Sequence, residues 1–311
     1  MEWNDHLAAA RDGTRIAWSD AGRGAPAVVL CDGIGCAGFV WRHLAPALAR
    51  TRRVVHWTYR GHGASAAPAD PRSASLLDCV DDLLAVLDAA GERRAVLAGH
   101  SMGVQVCLEA HRLAPRRVAG LLLACGAPGH ALAHFHDGPA LAAAFPVAQA
   151  LVERFPEVAR LVLGTVVPSE VALQYAMAFE VNARLLPRED MVRYLRDLSG
   201  VDPIVFVRML ASAQAHDATD HLPAIDVPAL VVAGERDTFT PMWLSVNMQA
   251  AIPRSELLVL PGASHVGPLE HPELVGVRVE RWFRERFPAR RAAPRRRPAR
   301  RARASGQRGG A

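Results

Sequence analysis

Apolar residues recur along this chain in two rhythms: short unbroken runs, and stripes spaced three and four apart. The runs Val28-Val29-Leu30-Cys31, Arg53–Trp57, Ala95-Val96-Leu97-Ala98, Val118–Ala124, Val227–Ala233 and Glu256–Leu260 have the length and composition of buried strands. Between them lie helical patterns at Trp41–Arg50, Leu76–Ala89, Val104–Ala110, Pro241–Ala251 and Glu270–Phe287. In Leu76–Ala89 the apolar positions Leu76, Leu77, Val80, Leu83, Leu84 and Leu87 follow the i, i+3, i+4 spacing of one helix face. At the start, Leu7–Arg11 and Thr14–Ser19 flank Asp12-Gly13, a hairpin turn signal. Strand and helix in alternation predict an α/β fold: a mostly parallel, doubly wound sheet with an antiparallel hairpin at its N-terminal edge.

The alternation stops near Gly126. From Gly129 to about His221 the pattern is helical, broken by Pro139, Pro146, Pro156, Pro168, Pro187 and Pro203, with no buried strand. The predicted organisation is therefore a core of residues 1–127 and 222–287, interrupted by a helical insertion over 128–221. Insertions at the carboxyl ends of parallel strands lie over the ligand crevice, so this one is expected to form a lid. No internal repeat is visible.

Composition changes the picture at the C-terminus. Every basic residue is Arg, and nine of them fall in residues 288–311 with no acidic residue. Without that tail the formal net charge of +5 becomes −4, so the basicity belongs to the tail and the body is mildly acidic. Poor in apolar residues, the tail is expected to be disordered, with weak binding to anionic surfaces as its one suggested activity. No specific nucleic-acid partner is expected. Half of the chain is hydrophobic, enough for a sizeable core, yet no apolar run is long enough for a transmembrane helix. The N-terminus lacks the basic-then-apolar order of a secretory signal. Five cysteines, at 31, 36, 79, 107 and 125, form no C-x-x-C pair, and free thiols of a cytoplasmic protein are the expectation.

Candidate chemistry centres on Gly99-His100-Ser101-Met102-Gly103, between a predicted strand and a predicted helix. Small residues two before and two after a serine on a strand–turn–helix are the context of a nucleophile elbow. The turn lifts the hydroxyl of Ser101 clear of both elements. It also leaves the Met102 N–H at the first helical turn, without an internal partner and able to face a developing anion. A serine hydroxyl needs a base to take its proton and a third group to hold that base. Asp237, in Gly234-Glu235-Arg236-Asp237, falls just past one predicted strand, and His265, in Gly262-Ala263-Ser264-His265, just past the next. Glu235 is the alternative acid, but it lies nearer the strand end and would point back along it.

In this order and these slots, the motifs resemble the α/β-hydrolase superfamily. Arg60-Gly61-His62-Gly63-Ala64-Ser65 and His271-Pro272-Glu273 add to the likeness, which covers about residues 7–287. The resemblance implies a Ser101–Asp237–His265 triad and a second oxyanion donor in the loop after Val28–Cys31, by position the Ile34 N–H. Members usually read His-Gly at the start of that loop; here it reads Asp32-Gly33-Ile34-Gly35. A carboxylate aimed at an oxyanion would oppose it, so Asp32 is expected to turn away and pair with Arg60 or His62.

The expected activity is hydrolysis of a small or medium apolar carboxylic ester through an acyl-enzyme, acting on a small molecule without a cofactor. The same triad could serve C–C bond, lactone or thioester hydrolysis, or perhydrolase and haloperoxidase-like chemistry. A ligand-binding protein that retains the fold is the alternative from another class. Gly33-Ile34-Gly35 and Gly61-His62-Gly63 do not complete a dinucleotide fingerprint. His134 and His136 alternate without Cys or carboxylate at ligand spacing, so no metal is expected.

Overall fold

Eight strands form one sheet in the order β1-β2-β4-β3-β5-β6-β7-β8. They are β1 (Asn4–Ala9), β2 (Arg15–Ala21), β3 (Ala27–Cys31), β4 (Val54–Trp57), β5 (Ala95–His100), β6 (Val118–Ala124), β7 (Ala229–Gly234) and β8 (Ser255–Leu260). The computed structural model describes residues 2–288. The tail expectation therefore lies almost entirely outside the described residues. β1 pairs antiparallel with β2, and β2 with β4; all later neighbours are parallel. Every residue of β3, β5 and β7 is buried. That explains why these strands read as continuous apolar runs: a parallel strand covered on both faces has no solvent side to alternate with.

The helices are α1 (Leu44–Ala49), α2 (Leu76–Ala89), α3 (Met102–Leu113), α4 (Ala140–Arg154), α5 (Pro156–Val166) and α6 (Glu170–Tyr175). They continue with α7 (Arg188–Ser199), α8 (Pro203–Ala215), α9 (Met242–Ala251), α10 (Gly267–Glu270) and α11 (Pro272–Arg286). Two core clusters occupy the two faces of the sheet. One gathers α2 and α3 residues such as Leu83 and Val106 with Val29 and Leu97; the other gathers α1 and α11 residues such as Leu48 and Trp282 with Leu30 and Val96. Ser75 caps α2 in a reciprocal box with Asp78, its side chain accepting from Asp78 N–H while the Asp78 carboxylate accepts from Ser75 N–H.

Three element boundaries differ from expectation. The hairpin strands begin and end earlier and later, at Asn4–Ala9 and Arg15–Ala21. The helix expected over Trp41–Arg50 is a 3₁₀ turn at Phe39–Trp41 followed by α1. The last helix is split at His271, whose backbone is non-helical (φ −127°, ψ 57°) because Pro272 follows it. Between β6 and β7 stand α4–α8, and among the described residues the extended pairing there is one isolated bridge, Gly129 with Asp217. Pro156 and Pro203 open α5 and α8 at first-turn positions, whereas Pro146 sits inside α4 rather than ending it. These helices meet the loops that follow β3 and β4: Leu198 and Phe206 abut Gly35, and Val205 abuts Gly61. Gln105 Nε2 donates to the Ala213 carbonyl (2.8 Å), tying α8 to α3.

Candidate active site

The turn between β5 and α3 carries Ser101 at φ 54°, ψ −122°. That is a backbone conformation costing about 1–3 kcal/mol for a residue with a side chain, and it survives only where its surroundings enforce it. The flanking glycines make the turn possible. A Cβ on Gly99 would press into the Gly103 carbonyl, and one on Gly103 into the carbonyls of Cys31 and Asp32. The start of α3 therefore lies directly against the end of β3. The same turn holds Met102 at the first position of α3.

His265, in the loop after β8, reaches this serine. Its Nε2 lies 2.9 Å from Ser101 Oγ. Its Nδ1 lies 3.0 Å from each oxygen of Asp237, in the loop after β7. Side chains 28 and 164 residues apart in sequence thus stand in one line at the carboxyl edge of the parallel sheet, after β5, β7 and β8. Because a carboxylate only accepts, Nδ1 carries the proton and Nε2 is left with its lone pair toward the hydroxyl.

Asp237 is buried yet well satisfied. Its Oδ1 accepts from the N–H groups of Phe239 (2.9 Å) and Thr240 (2.8 Å), and its Oδ2 from the Thr240 hydroxyl (2.8 Å). Burial pushes its pKa up, but the charge and hydrogen bond of His265 and the bonds from Thr240 outweigh that and hold it below the ordinary carboxylate value. Glu235, the other acid considered, instead accepts from Gly262 N–H (2.6 Å), outside this line.

Ile34 lies in the loop after β3, beside the serine. A Cβ on Gly33 would stand 3.1 Å from Ser101 Cβ. Among the described residues neither the Ile34 nor the Met102 N–H donates to another protein group. Both N–H groups are thus free of protein partners.

Asp32 pairs with neither of the partners expected, Arg60 or His62. Its Oδ2 accepts from His56 Nε2 (2.8 Å) and Gly38 N–H (2.8 Å). Arg60 is already committed elsewhere: Nε and Nη2 donate to Asp82 (2.8 and 2.6 Å), and Nη1 donates to Asp12 (2.9 Å) and to the Ser73 carbonyl (2.6 Å). His62 spends its Nδ1 on the Arg60 carbonyl (3.0 Å). Arg60 thus pins its glycine-rich loop to α2 and leaves Asp32 to a histidine from β4.

Three neighbours were not legible as site residues. Thr240 braces Asp237 and lies 3.4 Å from His265 Nδ1; the D-x-x-T spacing before α9 was its only sequence signal, and it reads equally as a helix cap. The Phe239 ring stacks on His265 at 4.8 Å and 26°. His100 donates from Nε2 to the backbone carbonyl of His265 (2.9 Å), joining the elbow to the histidine loop. Burial, and then the proximity of His265, lowers the His100 pKa to about 4, so this imidazole is neutral near neutrality. Among the described residues no cluster of His, Cys, Asp and Glu has the geometry of a metal site.

The chain matches known proteins across this whole assembly. It is 33% identical over 279 residues to a dihydrolipoyllysine-residue acetyltransferase component of an acetoin cleaving system from Pseudomonas putida, covering 88% of this chain and 68% of that protein. It is 29% identical over 245 residues to a putative carbamate hydrolase, RutD, from Klebsiella pneumoniae, covering 78% and 85%. A hydrolase of solved structure from Pseudomonas aeruginosa superposes with a TM-score of 0.71 at 29% identity, covering 90% of this chain and 98% of that one. A thermophilic esterase from Thermogutta terrifontis, 24% identical with a TM-score of 0.75 over 92% of this chain and 99% of that one, shares the fold. The family described as alpha/beta hydrolase fold matches residues 26–272, from the strand before Ile34 to the helix after His265, and the chain belongs to it.

Proposed function

We propose that this chain is a serine hydrolase that cleaves a small or medium carboxylic ester with an apolar acyl part. The observation that carries the reading is the unbroken hydrogen-bonded line Ser101 Oγ, His265 Nε2, His265 Nδ1, Asp237. In the first step His265 Nε2 takes the Ser101 proton as Oγ bonds to the ester carbonyl carbon. The Met102 and Ile34 N–H groups hold the resulting oxyanion, each worth roughly 3–4 kcal/mol to the transition state. His265 then gives the proton to the departing alkoxide as the C–O bond breaks. Water, activated by the same imidazole, releases the acid and restores the serine. Asp237 keeps His265 in the required tautomer and stabilises its cationic form, while Thr240 fixes the carboxylate.

In this reading residues 128–221 are a lid over a core formed by 1–127 and 222–287. The contacts of Leu198 and Phe206 with Gly35 support it, since they lay α7 and α8 beside the Ile34 loop. The apolar residues of that segment favour an apolar acyl group, and the likeness to carbamate hydrolases fits attack on a related acyl carbon. Turnover of a panel of p-nitrophenyl esters by the wild type and by His265→Ala tests the proposal. It requires measurable wild-type turnover that falls by at least about three orders of magnitude in the variant; equal rates would refute it.

A further inference from the structure

The outward face of α4–α6 is apolar to an unusual degree. On α5, Val158, Leu161, Val162 and Val166 are all about half exposed or more, Leu161 at 69%. On α6 and the turn after it, Val171 is 78% exposed, Tyr175 56% and Phe179 65%. Leu151 and Phe155, at the end of α4, extend the set. Arg160 Nε donates to Asp202 (3.0 Å), the residue that caps α8, and Arg160 also pairs with the exposed Glu157. From Leu161 to Ser169 there is no charged residue. A surface helix ordinarily buries its apolar stripe; α5 has no buried residue and leaves its aliphatic side chains exposed. An exposed apolar surface of this extent marks a contact with lipid or with another macromolecule.

We infer that this face docks on an anionic lipid bilayer, lying along the interface rather than crossing it. No single helix among the described residues is long and apolar enough to cross a membrane. The pair Pro156–Val166 and Glu170–Glu180 passes that test only together, and it is bent by 66°, which suits a segment resting on a surface. Charge selects the occupant. Stable peripheral attachment takes two signals, an apolar insertion and a basic segment, and this chain carries nine arginines beyond Phe287. A second copy would bring the same nine positive charges, whereas an anionic leaflet attracts them.

Co-sedimentation of the full chain with vesicles of phosphatidylcholine, alone or with roughly one third phosphatidylglycerol, tests the inference. The wild type binds the anionic vesicles more strongly than the neutral ones. Joint Val158→Ser, Leu161→Ser and Val162→Ser substitution lowers partition by about tenfold or more. Val171→Ser with Phe179→Ser, on a separate element, lowers it in the same direction, and far-UV circular dichroism checks that each variant folds. No wild-type binding to anionic vesicles, or unchanged binding in folded variants of both sets, overturns the inference. So does a dimer in sedimentation velocity that the first variant abolishes while vesicles remain unbound. None of these readouts depends on the ester-hydrolase reading.

Discussion

The sheet and α5 treat apolar side chains in opposite ways. In β3, β5 and β7 every residue is buried; in α5 none is. The first arrangement places the loops after the strands on a rigid edge, because each strand is held on two sides by its neighbours and on two faces by helices. The second leaves a surface free to vary and to meet something outside the chain. The reactive geometry belongs to the rigid region, with Ser101 after β5, Asp237 after β7 and His265 after β8.

The comparison is broken most severely at the site itself. Asp237→Asn should lower kcat by about 10⁴-fold without unfolding the chain, because an amide no longer fixes the protonated Nδ1 of His265. Steady-state kinetics on a p-nitrophenyl ester checks this, and a small loss would mean that Asp237 is only a cap for α9. Next in size, one kind of truncation should separate the two regions. Leu97→Ala, wholly buried in β5, should destabilise by about 2–5 kcal/mol. Leu161→Ala on α5 should change stability by less than about 0.5 kcal/mol in the same urea titration.

A third effect comes from His100. Its folded pKa of about 4 lies below the ordinary 6.5, so the unfolded chain takes up a proton that the folded chain refuses. Stability is therefore unaffected above about pH 6.5 and is lost as pH falls from there toward about 4, by roughly 3 kcal/mol from this group. His62, His111 and His221, also lowered by burial, act in the same sense. His100→Gln should flatten the acid limb of the unfolding free energy, and an unchanged limb would place the proton elsewhere. Smallest of the effects on rate, Thr240→Val should reduce kcat by about tenfold while leaving KM nearly unchanged, since it loosens the carboxylate without touching substrate.

The sheet was legible in sequence because buried parallel strands leave unbroken apolar runs, and the elbow because its glycines have no other reason to bracket a serine. Ser101, Asp237 and His265 could be picked out from the strand ends together with the family resemblance of their motifs. The partner of Asp32 could not: nothing local distinguishes His56, on β4, from His62 or Arg60, and the choice follows from Arg60 being committed to Asp82 and Asp12. Thr240 was hidden because helix caps use the same spacing. The outward face of α5 was hidden too, since periodicity reports an apolar stripe without saying which side of it meets the protein.

The central claim is that the Ser101 hydroxyl is activated by His265. The most direct measurement is the rate of covalent labelling by a fluorophosphonate probe, with the modified residue located by peptide mass spectrometry. The account predicts one adduct, on Ser101, forming at least about a hundredfold faster in the wild type than in His265→Ala. An adduct on another residue, or equal labelling rates in the two proteins, would contradict it.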